Sequence, residues 1–194
     1  MTELAEGMHR LRALQPADAD RVLAWRNADR VRSMMYTDHV ISEPEHRRWL
    51  DHALQADRER HLIFETRGRP LGLVSFSQLR PEWCTAHWAF YVGEAEAPKG
   101  TGSIMEYAAL SHAFGHLGLV KLSCEVIAFN QRVVRMHHRF GFEEEGFFRD
   151  EVLRDGRRWG IHRLALFAAT WAQIEPQQRA RLFGGSPADG SGTL

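Results

Sequence analysis

The chain has 194 residues, with 25 Lys+Arg against 25 Asp+Glu, so its formal net charge is zero. That length suits one domain with a sizeable core, and the charge balance argues against a dedicated nucleic-acid binder, which would carry a basic face. No apolar run approaches a membrane span, and the acidic, polar start Met1–Glu6 does not read as a secretory signal, so a cytoplasmic protein is expected.

In chain order, His9 to Leu14 alternates polar and apolar residues and reads as a first strand. Pro16-Ala17-Asp18 opens a helix to about Asn27, since Pro and an acid near the first turn are normal helix starts. Ala28 to Ile41 is less regular. Ser42-Glu43-Pro44-Glu45 has the Ser-to-Glu spacing of a helix cap and predicts a second helix through about Ala56. His61–Thr66 and Leu71–Phe76, joined by the Arg67–Pro70 turn, predict a hairpin. Ala86–Val92 predicts a fourth, aromatic-rich strand. Beyond Pro98-Lys99-Gly100-Thr101-Gly102, a helix is expected over Ser103–Leu117, then a strand over Lys121–Ile127. Asn130 to Phe140 reads as a helix stopped at Gly141. Phe142–Val152 and Arg158–Phe167 read as two last strands around the Asp155-Gly156 turn. One domain is thus expected over residues 1–174, with a polar tail at 175–194 read as disordered.

Two residue types bear on chemistry by their arrangement. Cys84 and Cys124 both fall in strand-like runs and read as reduced core thiols. The 11 histidines form no H-E-x-x-H or Cys/His array, so no metal site is expected. The sharpest local feature is the loop Lys99-Gly100-Thr101-Gly102 running into a helix at Ser103. Glycines allow a ligand to approach the backbone, a helix start offers unpaired N–H groups to anionic oxygens, and Lys99 adds charge. A tight turn would account for the same residues. No Gly-Lys-Ser/Thr follows and a third glycine is missing, which excludes a nucleotide-hydrolase loop and weighs against a dinucleotide fingerprint.

Element order, this loop and the later Asn130…Gly141-Phe142 run together resemble the GNAT acetyltransferases over about Arg10–Thr170. The resemblance implies an α/β fold: a mixed, mainly antiparallel sheet with helices on both faces, splayed between strands 4 and 5 to admit acetyl-CoA as cosubstrate. In the family a Gln/Arg-x-x-Gly-x-Gly/Ala loop holds the coenzyme A pyrophosphate. Here it reads Ala97-Pro98-Lys99-Gly100-Thr101-Gly102, which makes Lys99 the expected side-chain partner beside Ser103. Asn130 and Arg132 would open the helix beside the pantetheine arm. Phe90-Tyr91-Val92 would form a bulged strand lending backbone groups to the pantetheine and, near Tyr91, to the developing oxyanion.

His137 occupies the position where the family commonly carries a thiolate-protonating tyrosine. An imidazole can donate a proton there; a packed helix residue is the alternative. His87 lies where related enzymes often place a base acting through water, with a structural histidine as the alternative.

The N-terminal run Trp25-Arg26-Asn27, Met35-Tyr36, His39-x-Ile41-Ser42 and Glu45-His46 resembles a GNAT subfamily of pseudaminic acid synthesis. That subfamily acetylates the 4-amino group of a UDP-linked 4-amino-4,6-dideoxy sugar. The resemblance implies a small-molecule amino sugar nucleotide as partner, with Arg26, Asn27, Met35, Tyr36, His46 and Glu125 at the acceptor. Arg26 and His46 would meet phosphate oxygens. Neither nucleic acid nor membrane is implied, and a homo-oligomer is left open. The competing readings are a GNAT acting on a protein N-terminus or another small amine, such as an aminoglycoside or polyamine, and a non-catalytic acyl-CoA-binding module.

Overall fold

The computed structural model describes residues 6–184. The readings of the acidic start before Glu6 and of the Gly/Ser-rich stretch after Gly184 lie outside those residues. After a short 3-10 turn at Glu6–Met8, β1 (His9–Ala13) leads through a second turn at Pro16–Asp18 into α1 (Ala19–Asn27). Next come α2 (Asp29–Arg32), α3 (Glu43–Gln55), β2 (Arg60–Thr66), β3 (Arg69–Arg80) and β4 (Thr85–Val92). The second half holds α4 (Thr101–Ser111) with a π-turn at His112–His116, β5 (Lys121–Ile127), α5 (Gln131–Arg139), β6 (Glu143–Arg154), β7 (Arg157–Phe167) and α6 (Ala168–Phe183). Within the described residues seven strands make one sheet in the order β1-β2-β3-β4-β5-β7-β6.

Local chemistry explains several boundaries. The Ser42 hydroxyl accepts from the Glu45 backbone N–H at 3.4 Å and starts α3, while the Glu45 carboxylate turns to His39 instead of closing a capping box. Asp155 and Gly156 both take left-handed backbone angles, the turn geometry that matches the twist of the β6–β7 hairpin. Arg12 joins β1, β2 and the entry to α1: its guanidinium donates twice to Asp18 at 2.7 Å and once to Glu65 at 2.6 Å. Asp18 and Glu65 are both buried, so each carboxylate has to be paired in this way.

Strand alternation sends two sets of side chains to opposite faces. One face packs Phe64, Val74, Phe76, Trp88, Leu122, Cys124 and Leu164 against α4, α5 and α6. The other packs Ile63 and Leu73 against Val22 and Trp25 of α1 and Leu50 of α3. Trp25 is pressed so closely on Gly93 that a Cβ there would stand 2.2 Å from its ring.

The feature that positions the site is the junction of β4 and β5. These strands run parallel but pair only over Thr85–His87 with Lys121–Ser123. Beyond that, β4 stays with β3 up to Val92, β5 stays with β7 up to Ile127, and the sheet opens between them.

Three expectations are corrected. Cys84 is exposed and sits in the left-handed region (φ +50°) closing the Pro81–Trp83 turn, so it is not a core thiol; Cys124 is one. The chain from Glu175 to Phe183 continues α6, which buries Trp171 and Gln178, so the polar tail is helical that far. The pairing of β4 with β3 is unbroken from His87 to Val92, and the irregularity lies instead between Ser77 and Arg80, where Gln78 has φ +49°.

Candidate active site

The loop before α4 fits an anion. Gly100 is the N-cap with φ +92°, a conformation L-residues avoid, and a Cβ there would meet open space. A Cβ at Gly102 would lie 3.9 Å from both Val92 and Met136, which places this turn at the mouth of the β4–β5 split. Lys99 is exposed beside it, and Arg132 is exposed at the start of α5. Thr101 has another role: its hydroxyl donates to the Pro98 carbonyl at 2.7 Å and its side chain is buried, so it braces the loop from inside. The Ser103 hydroxyl points at the Met136 sulfur at 3.9 Å, tying α4 to α5. The Asn130 carbonyl receives the first N–H groups of α5, from Val133 and Val134.

On the α4–α5 side of the split stands His137. It is buried, with its ring edge-on to Trp88 and Phe90 of β4 and tilted against Phe142. Nδ1 lies 2.7 Å from an oxygen of Glu106, itself fully buried on α4. Burial pushes the imidazole pKa down, but Cys124 of β5 and the Glu106 carboxylate outweigh it and raise the pKa to about 10.

The opposite face carries a second polar group. The Tyr36 hydroxyl donates to Glu125 at 2.8 Å, and Arg163 of β7 donates to the other Glu125 oxygen at 2.9 Å. His87 shares this face, paired in register with Ser123, two residues before Glu125. Burial and the Arg163 charge lower the His87 pKa, so its ring is a neutral proton acceptor at neutral pH. Burial, then Glu125, raises that of Tyr36, which stays a donor.

The wall over this face is the 28–41 segment, held in place from several directions. Arg154 at the end of β6 donates to the carbonyls of Ser33 (3.0 Å) and Met35 (2.7 Å) and pairs with Asp38. Arg30 donates to the carbonyls of Val92 and Gly93, occupying an acceptor that the sequence reading assigned to pantetheine. Asn27 exchanges two bonds with the Ile41 backbone, at 2.8 and 2.9 Å. Arg26 donates to the Thr37 carbonyl at 2.8 Å. Met35 is half-buried in this wall.

The profile of the family described as "Acetyltransferase (GNAT) domain" matches residues 9–143. The chain belongs to the GNAT acetyltransferase family. It is 26% identical to an uncharacterized N-acetyltransferase of the SPbeta prophage of Bacillus subtilis, over 75% of this chain and 82% of the relative. It is 23% identical to the spermidine N(1)-acetyltransferase of Vibrio cholerae, over 83% and 94%. A crystal structure of a Vibrio cholerae spermidine N-acetyltransferase in complex with CoA and spermine superposes with a TM-score of 0.79. It covers 86% of this chain and 99% of that one at 21% identity. This chain is an acetyl-CoA-dependent N-acetyltransferase.

In this GNAT domain the open Gly100 turn and the parted strands fit a pyrophosphate and an extended thioester arm. Beyond His87, β4 has no strand on its β5 side, so alternate backbone groups between Trp88 and Val92 face the opening. Among the described residues no group of three His, Cys, Asp or Glu side chains could hold a metal ion. No described helix is long and apolar enough to cross a membrane.

Tyr36, Glu125 and His87 come together as one face, whereas His46 does not join them. It is 4% exposed, bonds the Ala19 carbonyl at 2.8 Å and stacks on Trp49, so it fastens α3 to α1 and offers no surface to a phosphate. Asn27 is likewise spent on the backbone. Sequence reasoning missed Arg163, Arg154 and Glu106. Only Glu106 left a trace, as a carboxylate within the apolar helix following the Gly loop.

Proposed function

We propose that this GNAT enzyme acetylates a primary amine of a small molecule bound over Tyr36, Glu125 and His87, by direct attack in a ternary complex. One observation carries the reading: two histidines flank the β4–β5 split from opposite faces of the sheet, His87 with its pKa lowered by burial and Arg163, and His137 with its pKa raised against burial by Cys124 and by the Glu106 carboxylate bound to its Nδ1. Such a separation of proton acceptor from proton donor is what acyl transfer between an amine and a thioester requires.

Acetyl-CoA supplies the acyl group; Lys99, Gly100, Gly102 and the start of α4 bind its phosphates, and Arg132 and Asn130 border its path. Glu125, braced by Tyr36 and Arg163, orients the incoming amine by accepting its N–H. His87 takes the amine's surplus proton, directly or through water. Backbone N–H groups of β4 near Tyr91 face the charge developing on the carbonyl oxygen. His137 delivers a proton to the departing sulfur.

The spermidine enzymes among the relatives support a small-amine acceptor. A second reading, the UDP-linked amino sugar, is favoured by Arg26, whose Nη1 is buried near Tyr91 with no hydrogen-bond partner among the described residues and suits an anionic oxygen. The test is mass analysis after incubation with acetyl-CoA and, separately, spermidine, UDP-linked amino sugars and a peptide with a free N-terminus. An acetylated small amine is the expected result. Acetylation of the peptide alone contradicts the proposal, and UDP competition against the acceptor selects the nucleotide reading.

A further inference from the structure

Glu106 is a costly residue to keep. It lies fully buried in an otherwise apolar helix face, one oxygen bound to His137 and the other, Oε2, buried with no hydrogen-bond partner among the described residues. An unpaired buried carboxylate oxygen loses its hydration for nothing in return, and such groups call for a reason beyond packing. A neutral or apolar residue would fill α4 at lower cost if the helix needed only volume.

The surroundings supply that reason. His137 bridges the two parted strands: its ring meets Trp88 and Phe90 on β4 and reaches Cys124 on β5. Glu106 approaches from behind, on the helix that also carries the Gly100 loop. With Nδ1 committed to Glu106, the exchangeable proton of the ring is the one on Nε2, on a ring that Cys124 also hydrogen-bonds from β5.

We infer that Glu106 is a positioning residue for the leaving-group step, fixing the ring of His137 and keeping it charged so that Nε2–H is the proton delivered to sulfur. This rests on the reading of His137 as the acid. As the C–S bond breaks, its electron pair goes to sulfur and the Nε2 proton follows, giving the free thiol. His137 is left neutral, with its Nδ1–H still donating to the Glu106 carboxylate. The proton that His87 accepts from the amine leaves to solvent, and one from solvent recharges His137. The charged and titratable groups that act on the pair are Cys124 from β5, on His137, and Arg181 from α6, on Glu106, with Arg139 of α5 acting in turn on Arg181; Trp88, Phe90 and Phe142 contribute rings.

The experiment is the pH profile of kcat for wild type, Glu106→Gln, Glu106→Asp and His137→Gln, with thermal melting of each. Gln keeps the shape and an acceptor for Nδ1–H but removes the charge. Glu106→Gln is expected to lower kcat about tenfold or more at pH 8, with the acetyl-CoA KM within about twofold. Its high-pH limb should move to lower pH, because a less basic imidazole loses its proton sooner. Glu106→Asp, which retains the charge, should keep the limb near the wild-type position. A fall in kcat and melting temperature with the limb unmoved makes Glu106 a structural brace and overturns the inference. If His137→Gln costs kcat heavily while Glu106→Gln does not, the acid reading stands and this inference fails; if His137→Gln leaves kcat within about twofold, the acid reading itself fails. Should Glu106→Gln not fold, the nitrogen NMR shifts of His137 in the wild-type protein decide: a doubly protonated ring at pH 8 supports the inference and a neutral ring overturns it.

Discussion

His87 and Gly100 are the residues whose local physics makes the firmest demands. His87, the base we propose, must be unprotonated to act, and burial and Arg163 hold it below the ordinary histidine pKa. Its contribution to kcat/KM is therefore expected to rise with pH, to be complete by neutral pH, and to fall away only in acid. His87→Ala should lower kcat on the order of 10²-fold and remove that acidic limb; a pH-rate profile measures both. Gly100→Ala places a Cβ at φ +92°, costing about 1–2 kcal/mol in the loop, and should raise the acetyl-CoA Kd while sparing the acceptor. Calorimetric titration with coenzyme A checks it. Gly100, His87 and His137 stand out in the sequence because glycine before a helix and histidines at motif positions carry chemistry in their own atoms, and the structure sets all three around the β4–β5 split. His46 misled for a physical reason: a histidine that closes a bond to the Ala19 carbonyl between two helices has the same sequence signature as one that meets a ligand.

Elements built on periodicity were legible and those built on tertiary contact were not. β5 runs Lys121–Ile127 as its pattern predicts, and β1, β4 and α5 agree within a residue or so. β3 extends to Arg80, past the left-handed Gln78, where alternation breaks and the pattern ends early. The largest omission, α6, has an interior proline and a polar composition, so its sequence resembles a solvated tail. Its helix is held from outside: Trp171 packs edge-on against Tyr107, Glu175 accepts from the Tyr107 hydroxyl, and Gln178 donates to the Arg139 carbonyl at 2.9 Å. α6 thus clamps the C-terminal end of α5 and the middle of α4, the two helices that carry His137 and Glu106. Trp171→Ala is expected to cost about 3–5 kcal/mol in stability, measured by urea unfolding. A chain ended after Ile174 should melt lower than the full chain, although that cut follows the composition. An unchanged melting temperature for the shortened chain would mean that the outer half of α6 holds nothing.

For the molecule as a whole, the parted sheet is the organising fact, since it sets two chemically different faces around one gap. The charged pair on one of them links stability to pH. His137 has a folded pKa of about 10 against an ordinary value of 6.5. Its contribution to stability is complete below pH 6.5 and is lost as pH rises towards about 10. The melting temperature should decline over that window, and more shallowly in His137→Phe. The overall fold was readable because element order, the Gly100 loop and the Asn130 to Phe142 run together carry the resemblance to the family; the proposed acceptor face was only half readable, because Arg154 and Arg163 come from the far hairpin and meet Tyr36 and Glu125 only in space. The two-face arrangement is tested most directly by initial-rate kinetics of Glu125→Gln with both substrates varied. Charge-assisted bonds are worth about 1.5–3 kcal/mol, so the acceptor KM should rise roughly 10- to 150-fold while the acetyl-CoA KM stays within about twofold. A variant whose acetyl-CoA KM rises while its acceptor KM does not would contradict the placement of the acceptor over Tyr36, Glu125 and His87.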